Sequence, residues 1–197
     1  MRPETLTDGS VWLDVPTAAD IDVVTKLCQE PSIGEWTSMP VPYQRSDAVE
    51  FIGEMIPSGW ALRSPTWAVR TRPDGDLVGM IGLTDNGDLS AEIGFWLGSA
   101  FRARGLMTAA VALVCDYAFR PDEPGPAGPV AMGLVRLEWR AFVGNHASAA
   151  VIRRAGFQFE GTIRAGAMQR GTLRDCWIAG LLHDDPPGPV GDWPEGI

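Results

Sequence analysis

Two short stretches of this chain combine residue types that can hold an anion and move a proton. The first runs Ala91-Glu92-Ile93-Gly94-Phe95-Trp96-Leu97, then Gly98 to Phe101, then Arg102-Ala103-Arg104-Gly105-Leu106-Met107-Thr108. It reads as a strand, a turn of small and basic residues, and a helix start. The leading N–H groups of a helix lack internal partners, and the helix dipole favours negative charge there. Gly105 lets the backbone approach an anion and take positive φ. Arg102 and Arg104 add charge, and Thr108 adds a hydroxyl. Neither the P-loop pattern nor the G-x-G-x-x-G dinucleotide fingerprint is present. Taken alone, the segment reads equally as an ordinary basic turn before a core helix. The second stretch is a strand, Leu137 to Val143, running into Gly144-Asn145-His146-Ala147-Ser148 and on to Gly156-Phe157. Asn145 is a good N-cap. Asn145 and Ser148 stand three apart at the helix start, so both can face one cleft. Capping accounts for Asn145 but less well for Ser148.

Taken together, the two stretches resemble the GNAT superfamily of acyl-CoA-dependent N-acyltransferases. Arg102-x-x-Gly105-x-Met107 looks like its acyl-CoA motif, with Met107 in place of the usual small residue. That departure, with Glu92-Ile93-Gly94-Phe95-Trp96-Leu97 before it, resembles the ribosomal-protein N-terminal alanine acetyltransferase branch. Asn145-x-x-Ser148-x-x-Val151-x-x-x-x-Gly156-Phe157, Phe159-Glu160-Gly161 and Arg174-Asp175 fit the same branch. The resemblance covers Thr66 to Leu182. It implies a V-shaped cleft in which the pantetheine of acetyl-CoA, the co-substrate, lies along Phe95, Trp96 and Leu97. It implies that the pyrophosphate sits on the amides from Arg102 to Thr108, with Arg104, Gly105, Leu106 and Met107 among them and Asn145 nearby. A backbone N–H near Trp96 or Leu97 would polarise the thioester carbonyl, a role worth roughly 3–4 kcal/mol.

The acceptor implied is a primary amine, on a small molecule or at a protein N-terminus. A lysine amine, with pKa about 10.4, is neutral on the order of 0.1% of the time near pH 7.4, whereas an α-amine, with pKa about 8, is neutral roughly 20% of the time. The α-amine therefore needs far less help from a base. Glu92 is the first candidate for that base, directly or through water; Glu138 and His146 are weaker ones. Ser148 resembles the residue that protonates the departing thiolate. Where the branch carries a further glutamate, this chain has Ala167. Cys115 lies in an apolar helix, which favours direct transfer over a ping-pong route. Trp36, Met39 and Tyr43 read as a wall of the acceptor site.

These groups must be positioned by a mixed α/β chain. Val11 to Val15 reads as a strand, and Thr17 opens a helix to about Cys28. Ser46 caps a second helix ending near Pro57. Strands follow at Thr66–Thr71, Leu77–Leu83 and Ala91–Leu97, with a turn at Pro73-Asp74-Gly75 and a hairpin signal at Asn86-Gly87. A helix from about Met107 to Phe119 buries Met107, Ala110, Val111, Val114 and Ala118. A Pro/Gly-rich loop spans Pro121 to Gly128. A strand at Leu134–Val143, a helix at Ala147–Ala155 and strands at Phe157–Ile163 and Cys176–Leu182 complete the order. The fold class is α/β, a GNAT-like mixed, mostly antiparallel central sheet flanked by helices. Residues 1–185 form one domain, and 186–197 a Pro/Gly-rich tail that packs on something, such as a second subunit.

Composition narrows the alternatives. Net charge is −9, which disfavours a nucleic-acid binder and mildly favours a cationic partner. Three cysteines without C-x-x-C spacing and two histidines argue against a disulfide framework or a metal site. No apolar run is long enough to span a membrane, and no secretory signal is recognisable, so the reading is cytoplasmic. A homodimer is expected from the resemblance and the tail. The rival readings are another donor such as succinyl-CoA, and a non-catalytic acyl-CoA-binding protein.

Overall fold

The computed structural model describes residues 1–122, 124–125, 128–129, 131–186, 188–189 and 193–197. The chain begins with two short strands, β1 (Leu6–Thr7) and β2 (Trp12–Asp14), followed by a 3₁₀ turn and α1 (Ile21–Cys28). Thr17 caps this turn as the sequence suggests, in a reciprocal capping box with Asp20. α2 (Pro31–Trp36) has no counterpart in the sequence reading. The helix expected to be capped by Ser46 instead starts two residues earlier: Gln44 is the N-cap, its N–H bound to Asp47 Oδ2 at 2.7 Å. It runs as α3 (Arg45–Glu50), a π-helical turn over Phe51–Met55, and α4 (Ile56–Ala61).

The meander follows as β3 (Thr66–Arg70), β4 (Leu77–Gly87) and β5 (Ser90–Leu97). Its last turn is not at Asn86-Gly87. Gly87 belongs to β4 beside a bulge, and the chain reverses at Asp88-Leu89, both with positive φ (50° and 58°). Positive φ at both central residues matches the twist of a hairpin. The Leu89 carbonyl accepts the Val135 N–H at 2.8 Å and thereby holds the start of a strand further along the chain. α5 (Leu106–Phe119) is buried through Met107, Ala110, Val111, Val114, Cys115, Tyr117 and Ala118, on more than one face.

Part of the loop expected over Pro121–Gly128, namely Glu123, Pro126 and Ala127, lies outside the described residues. Beside them β6 (Pro124–Gly125) pairs with β7 (Gly128–Pro129). Then come β8 (Arg136–Phe142), α6 (His146–Arg154), β9 (Gln158–Gln169) and β10 (Thr172–Leu182). β9 and β10 are longer than the sequence indicates and form one extended hairpin. The sheet order is β1-β2-β3-β4-β5-β8-β10-β9, antiparallel throughout except for β5 with β8. In the C-terminal tail, Pro187, Val190, Gly191 and Asp192 lie outside the described residues. Trp193 packs on its own chain. It is 7% exposed, and its indole N–H donates to Phe157 O at 2.9 Å.

One buried ion cluster ties the N-terminal helices to the sheet. Arg70 on β3 donates to both oxygens of Asp14 (2.9 and 2.8 Å), to both of Asp20 (2.9 and 3.0 Å) and to the Gly75 carbonyl (2.8 Å). Burial alone would raise the Asp20 carboxyl, but the bonds from Arg70 and Thr17 outweigh it and hold it below its ordinary 3.8. Its stabilising contribution is therefore present at neutral pH and lost as pH falls through that lowered value. Asp20→Ala leaves Arg70 partly uncompensated in a buried setting. We expect a loss of about 3 kcal/mol, seen calorimetrically as a Tm lower by roughly 6–12 °C at pH 7. A loss below about 1 kcal/mol, the range of exposed pairs, would show the cluster to be inert.

Candidate active site

The site arises where β5 and β8 part. They pair at only three steps, Ser90↔Arg136, Ala91↔Leu137 and Glu92↔Glu138. Beyond Glu92 each strand keeps its other partner, β5 holding β4 through Leu97 and β8 holding β10 through Phe142. The result is the V-shaped gap expected from the sequence.

The ladder on the β4 side dictates which β5 groups face the gap. The Gly98 N–H donates to Val78 O at 2.9 Å. In an antiparallel ladder alternate residues point the same way, so Gly94 and Trp96 turn to β4 while Phe95 and Leu97 turn to the gap. Of the two amides suggested as carbonyl donors, the register therefore favours Leu97 over Trp96. The Leu97 carbonyl, on the gap side, accepts Arg102 Nε at 2.9 Å. Arg102 thus braces the end of β5 as well as adding charge.

A cavity of about 590 Å³ opens from this gap. Its wall brings together Phe95, Trp96, Leu97, Arg102, Arg104, Gly105, Leu106, Met107, Thr108, Asn145 and Ser148. Gly105 is the N-cap of α5 with φ 77° and ψ −7°, and a Cβ built on it would meet nothing within 4 Å. Left-handed backbone facing open space is what close approach by a phosphate requires. The first intrahelical bond is Ala109 N–H to Gly105 O, so the N–H groups of Leu106, Met107 and Thr108 have no intrahelical acceptor. The residues present thus fit a diphosphate on a flexible arm. Among the described residues no group of three or more His, Cys, Asp or Glu could hold a metal ion.

Asn145 Oδ1 accepts the Ser148 N–H at 3.2 Å, which makes Asn145 a cap as well as a wall residue. Ser148 Oγ accepts the Trp139 indole N–H at 3.0 Å. Glu92 does not line the cavity. It stands at the last paired step, half-buried. Arg140 is committed to Glu138 at 2.6 Å and reaches Glu92 only at 3.8 Å. Burial pushes the Glu92 carboxyl up, Arg140 pulls it down, and Glu138 pushes it up again, with a net rise. Glu138, the weaker candidate base, is gripped by both Arg136 and Arg140. His146 is exposed, edge-on to Trp177 with ring centroids 5.2 Å apart, and lies off the cavity. Cys115 is buried, and its thiol is pushed up to about 12 by burial, as suits a core residue.

Of the wall expected on the acceptor side, only Trp36 reaches the cavity; Tyr43 is a core residue, 5% exposed. Ser32, Ile33, Thr37, Ala147, Ala150, Val151 and Arg154 also line it; of these the sequence points only to Val151, as a motif position, and assigns none to the site. Ala147, Ala150, Val151 and Arg154 stand at helical i, i+3, i+4, i+7 spacing, a signal that could have found them. Ala167, where a glutamate was expected, pairs with Arg174, whose guanidinium stacks 4.7 Å from the Phe142 ring and 5.8 Å from that of Trp36.

Residues 10–158 match the family described as Acetyltransferase (GNAT) domain. The chain belongs to the GNAT acetyltransferase family. This GNAT chain is 38% identical over 117 residues to a protein provisionally named ribosomal N-acetyltransferase YdaF in Bacillus subtilis (strain 168). The match covers 58% of this chain and 58% of YdaF, so it spans less than two thirds of that relative's length. In fold it is similar to RimJ of Mycobacterium smegmatis, solved in complex with CoA-disulfide (TM-score 0.76, 21% identity, 92% of this chain and 90% of that one). It is also similar to RimL, a ribosomal L7/L12 alpha-N-protein acetyltransferase solved with coenzyme A (TM-score 0.76, 17% identity, 91% and 98%).

The environment of Glu92 generates a direct test. In a carbon-detected NMR titration its carboxyl should titrate above the ordinary 4.5. Arg140→Gln should move the midpoint further up, because the one attraction that lowers it is lost. A midpoint at or below the ordinary value would show that Glu92 is well solvated.

Proposed function

We propose that this protein is a cytoplasmic N-acetyltransferase that carries acetyl from acetyl-CoA to the α-amine of a peptide, protein or small molecule by direct attack in a ternary complex. The observation that carries this reading is the cavity between the splayed ends of β5 and β8, with the free amides of α5 at one side and the Ser148 hydroxyl at another. The diphosphate of the donor rests on the N–H groups of Leu106, Met107 and Thr108, with Arg102, Arg104 and Arg154 neutralising its charge. Its pantetheine extends along Phe95 to Leu97 and borrows the ladder groups that β8 leaves unused.

The amine nitrogen attacks the thioester carbonyl while its proton passes, through water, to Glu92. Charge on the carbonyl oxygen is met by a backbone N–H, for which Leu97 is the candidate. As the C–S bond breaks, Ser148 donates its proton to the thiolate, coenzyme A leaves as the thiol, and the proton taken by Glu92 returns through water to the serine oxygen. The raised affinity of Glu92 for a proton suits a base that must work nearer neutrality than an ordinary carboxylate. Ala167, facing Arg174 where the ribosomal-protein branch carries glutamate, favours an acceptor different from that branch's own.

Two variants separate binding from chemistry. Gly105→Val forces a β-branched residue into left-handed backbone, a strain on the order of 1–3 kcal/mol. It should weaken acetyl-CoA binding about tenfold or more by calorimetry; unchanged affinity would remove the diphosphate from this loop. Ser148→Ala should leave that affinity near the parent's and lower kcat within the roughly 10²–10⁴-fold range of general acid–base catalysis. Thiol release should be followed with a panel of free peptide N-termini, polyamines and aminoglycosides. No thiol release with any amine would overturn the function, and an equal kcat in parent and Ser148→Ala, with chemistry rate-limiting, would end the role of Ser148.

A further inference from the structure

We infer that Trp139 is a positioning residue for Ser148, fixing the serine hydroxyl so that its proton points at the departing sulfur. The inference rests on the acetyl-transfer reading above and deepens it. An indole N–H can only donate. Where Trp139 Nε1 meets Ser148 Oγ at 3.0 Å, the serine oxygen must be the acceptor. One lone pair of that oxygen is thereby tied to the core. The hydroxyl proton cannot point back along the same bond, and the directions left to it include the cavity that Ser148 lines. The Asn145 cap on the Ser148 N–H fixes the backbone from the other side. A serine with both its main chain and its oxygen anchored is an oriented proton donor rather than a free rotor.

The indole is itself held from behind. Trp139 is 2% exposed, and its ring lies 6.0 Å from that of Trp193, centroid to centroid. Trp193 is fastened by its own N–H to Phe157 O at 2.9 Å and packs 5.4 Å from the Phe159 ring. A residue near the C-terminus therefore sets how far the Trp139 ring can retreat, and through it where the Ser148 oxygen sits.

The test is Trp139→Phe, which keeps an aromatic ring in the core and removes the N–H together with part of the indole. In single turnovers with saturating acetyl-CoA and α-amine, acetyl transfer should slow about tenfold, a part of the roughly 10²–10⁴-fold that a placed proton donor supplies. KM for acetyl-CoA should stay near the parent's. In the Ser148→Ala background the same change should slow transfer less than about twofold, because the group it positions is gone. A purely structural role predicts the opposite pattern: a lower Tm, and an unchanged rate per folded molecule. That result, with Ser148→Ala slowed, overturns the inference and leaves the proposed function standing. Parental turnover in Ser148→Ala sinks the serine's own assignment and the inference with it.

If Trp139→Phe does not fold, the unaltered protein decides. The Trp139 indole N–H resonance should shift on adding coenzyme A and not on adding its desulfo analogue, since only a thiol can extend the bond chain through Ser148. Identical responses to the two ligands overturn the inference.

Discussion

The site depends on one arrested interaction, the parallel pairing of β5 with β8, which stops after Glu92↔Glu138. Parallel strands need a long crossover, and here it carries α5 between them. Each strand is then committed elsewhere, β5 to a hairpin with β4 and β8 to β10. Two separately anchored, twisted halves cannot stay in register indefinitely, and the gap is the geometric remainder. α5 enters at the β5 side of that gap and α6 at the β8 side, so the unpaired amides of one and the polar start of the other line the same space.

The parts of the site that could be read in the sequence are those whose function is local. Gly105 declares left-handed backbone at a helix start, Asn145 declares a cap, and the small residues around them leave room. What could not be read depends on partners distant in sequence. Tyr43 sits in the core, its carbonyl accepting from Gln29 at 3.1 Å, a contact invisible in its own segment. Asn86-Gly87 has strong turn chemistry, yet register with β5 and a bulge moved the reversal to Asp88-Leu89. α2 is six residues long and holds both Pro31 and Gly34, too little for periodicity to register. The reach of Trp193 back to Trp139 and Phe159 joins residues on either side of a Pro-rich stretch that composition alone marks as irregular.

The charged groups follow a similar division. Arg70, Asp14 and Asp20 satisfy one another and hold helices to the sheet. Arg136 and Arg140 take up Glu138 and Glu160 on the sheet surface, which leaves Glu92 the least committed carboxylate of its cluster. The three arginines of the cavity wall, Arg102, Arg104 and Arg154, give an otherwise acidic chain a local basic patch. Net charge thus describes the molecule's far field, while the cavity is set by the few cations the fold gathers there.

A ladder that ends at Glu92 is also a sheet edge placed inside a sheet. Edges of that kind invite any extended chain that can complete them. A ligand that does so binds the folded protein and finds nothing comparable in the unfolded one. The folding equilibrium is then coupled to the ligand's concentration, and a hundredfold excess over Kd adds about 2.7 kcal/mol of stability. A metabolite completing the gap between β5 and β8 would tie the resistance of this protein to heat and proteolysis to its own supply.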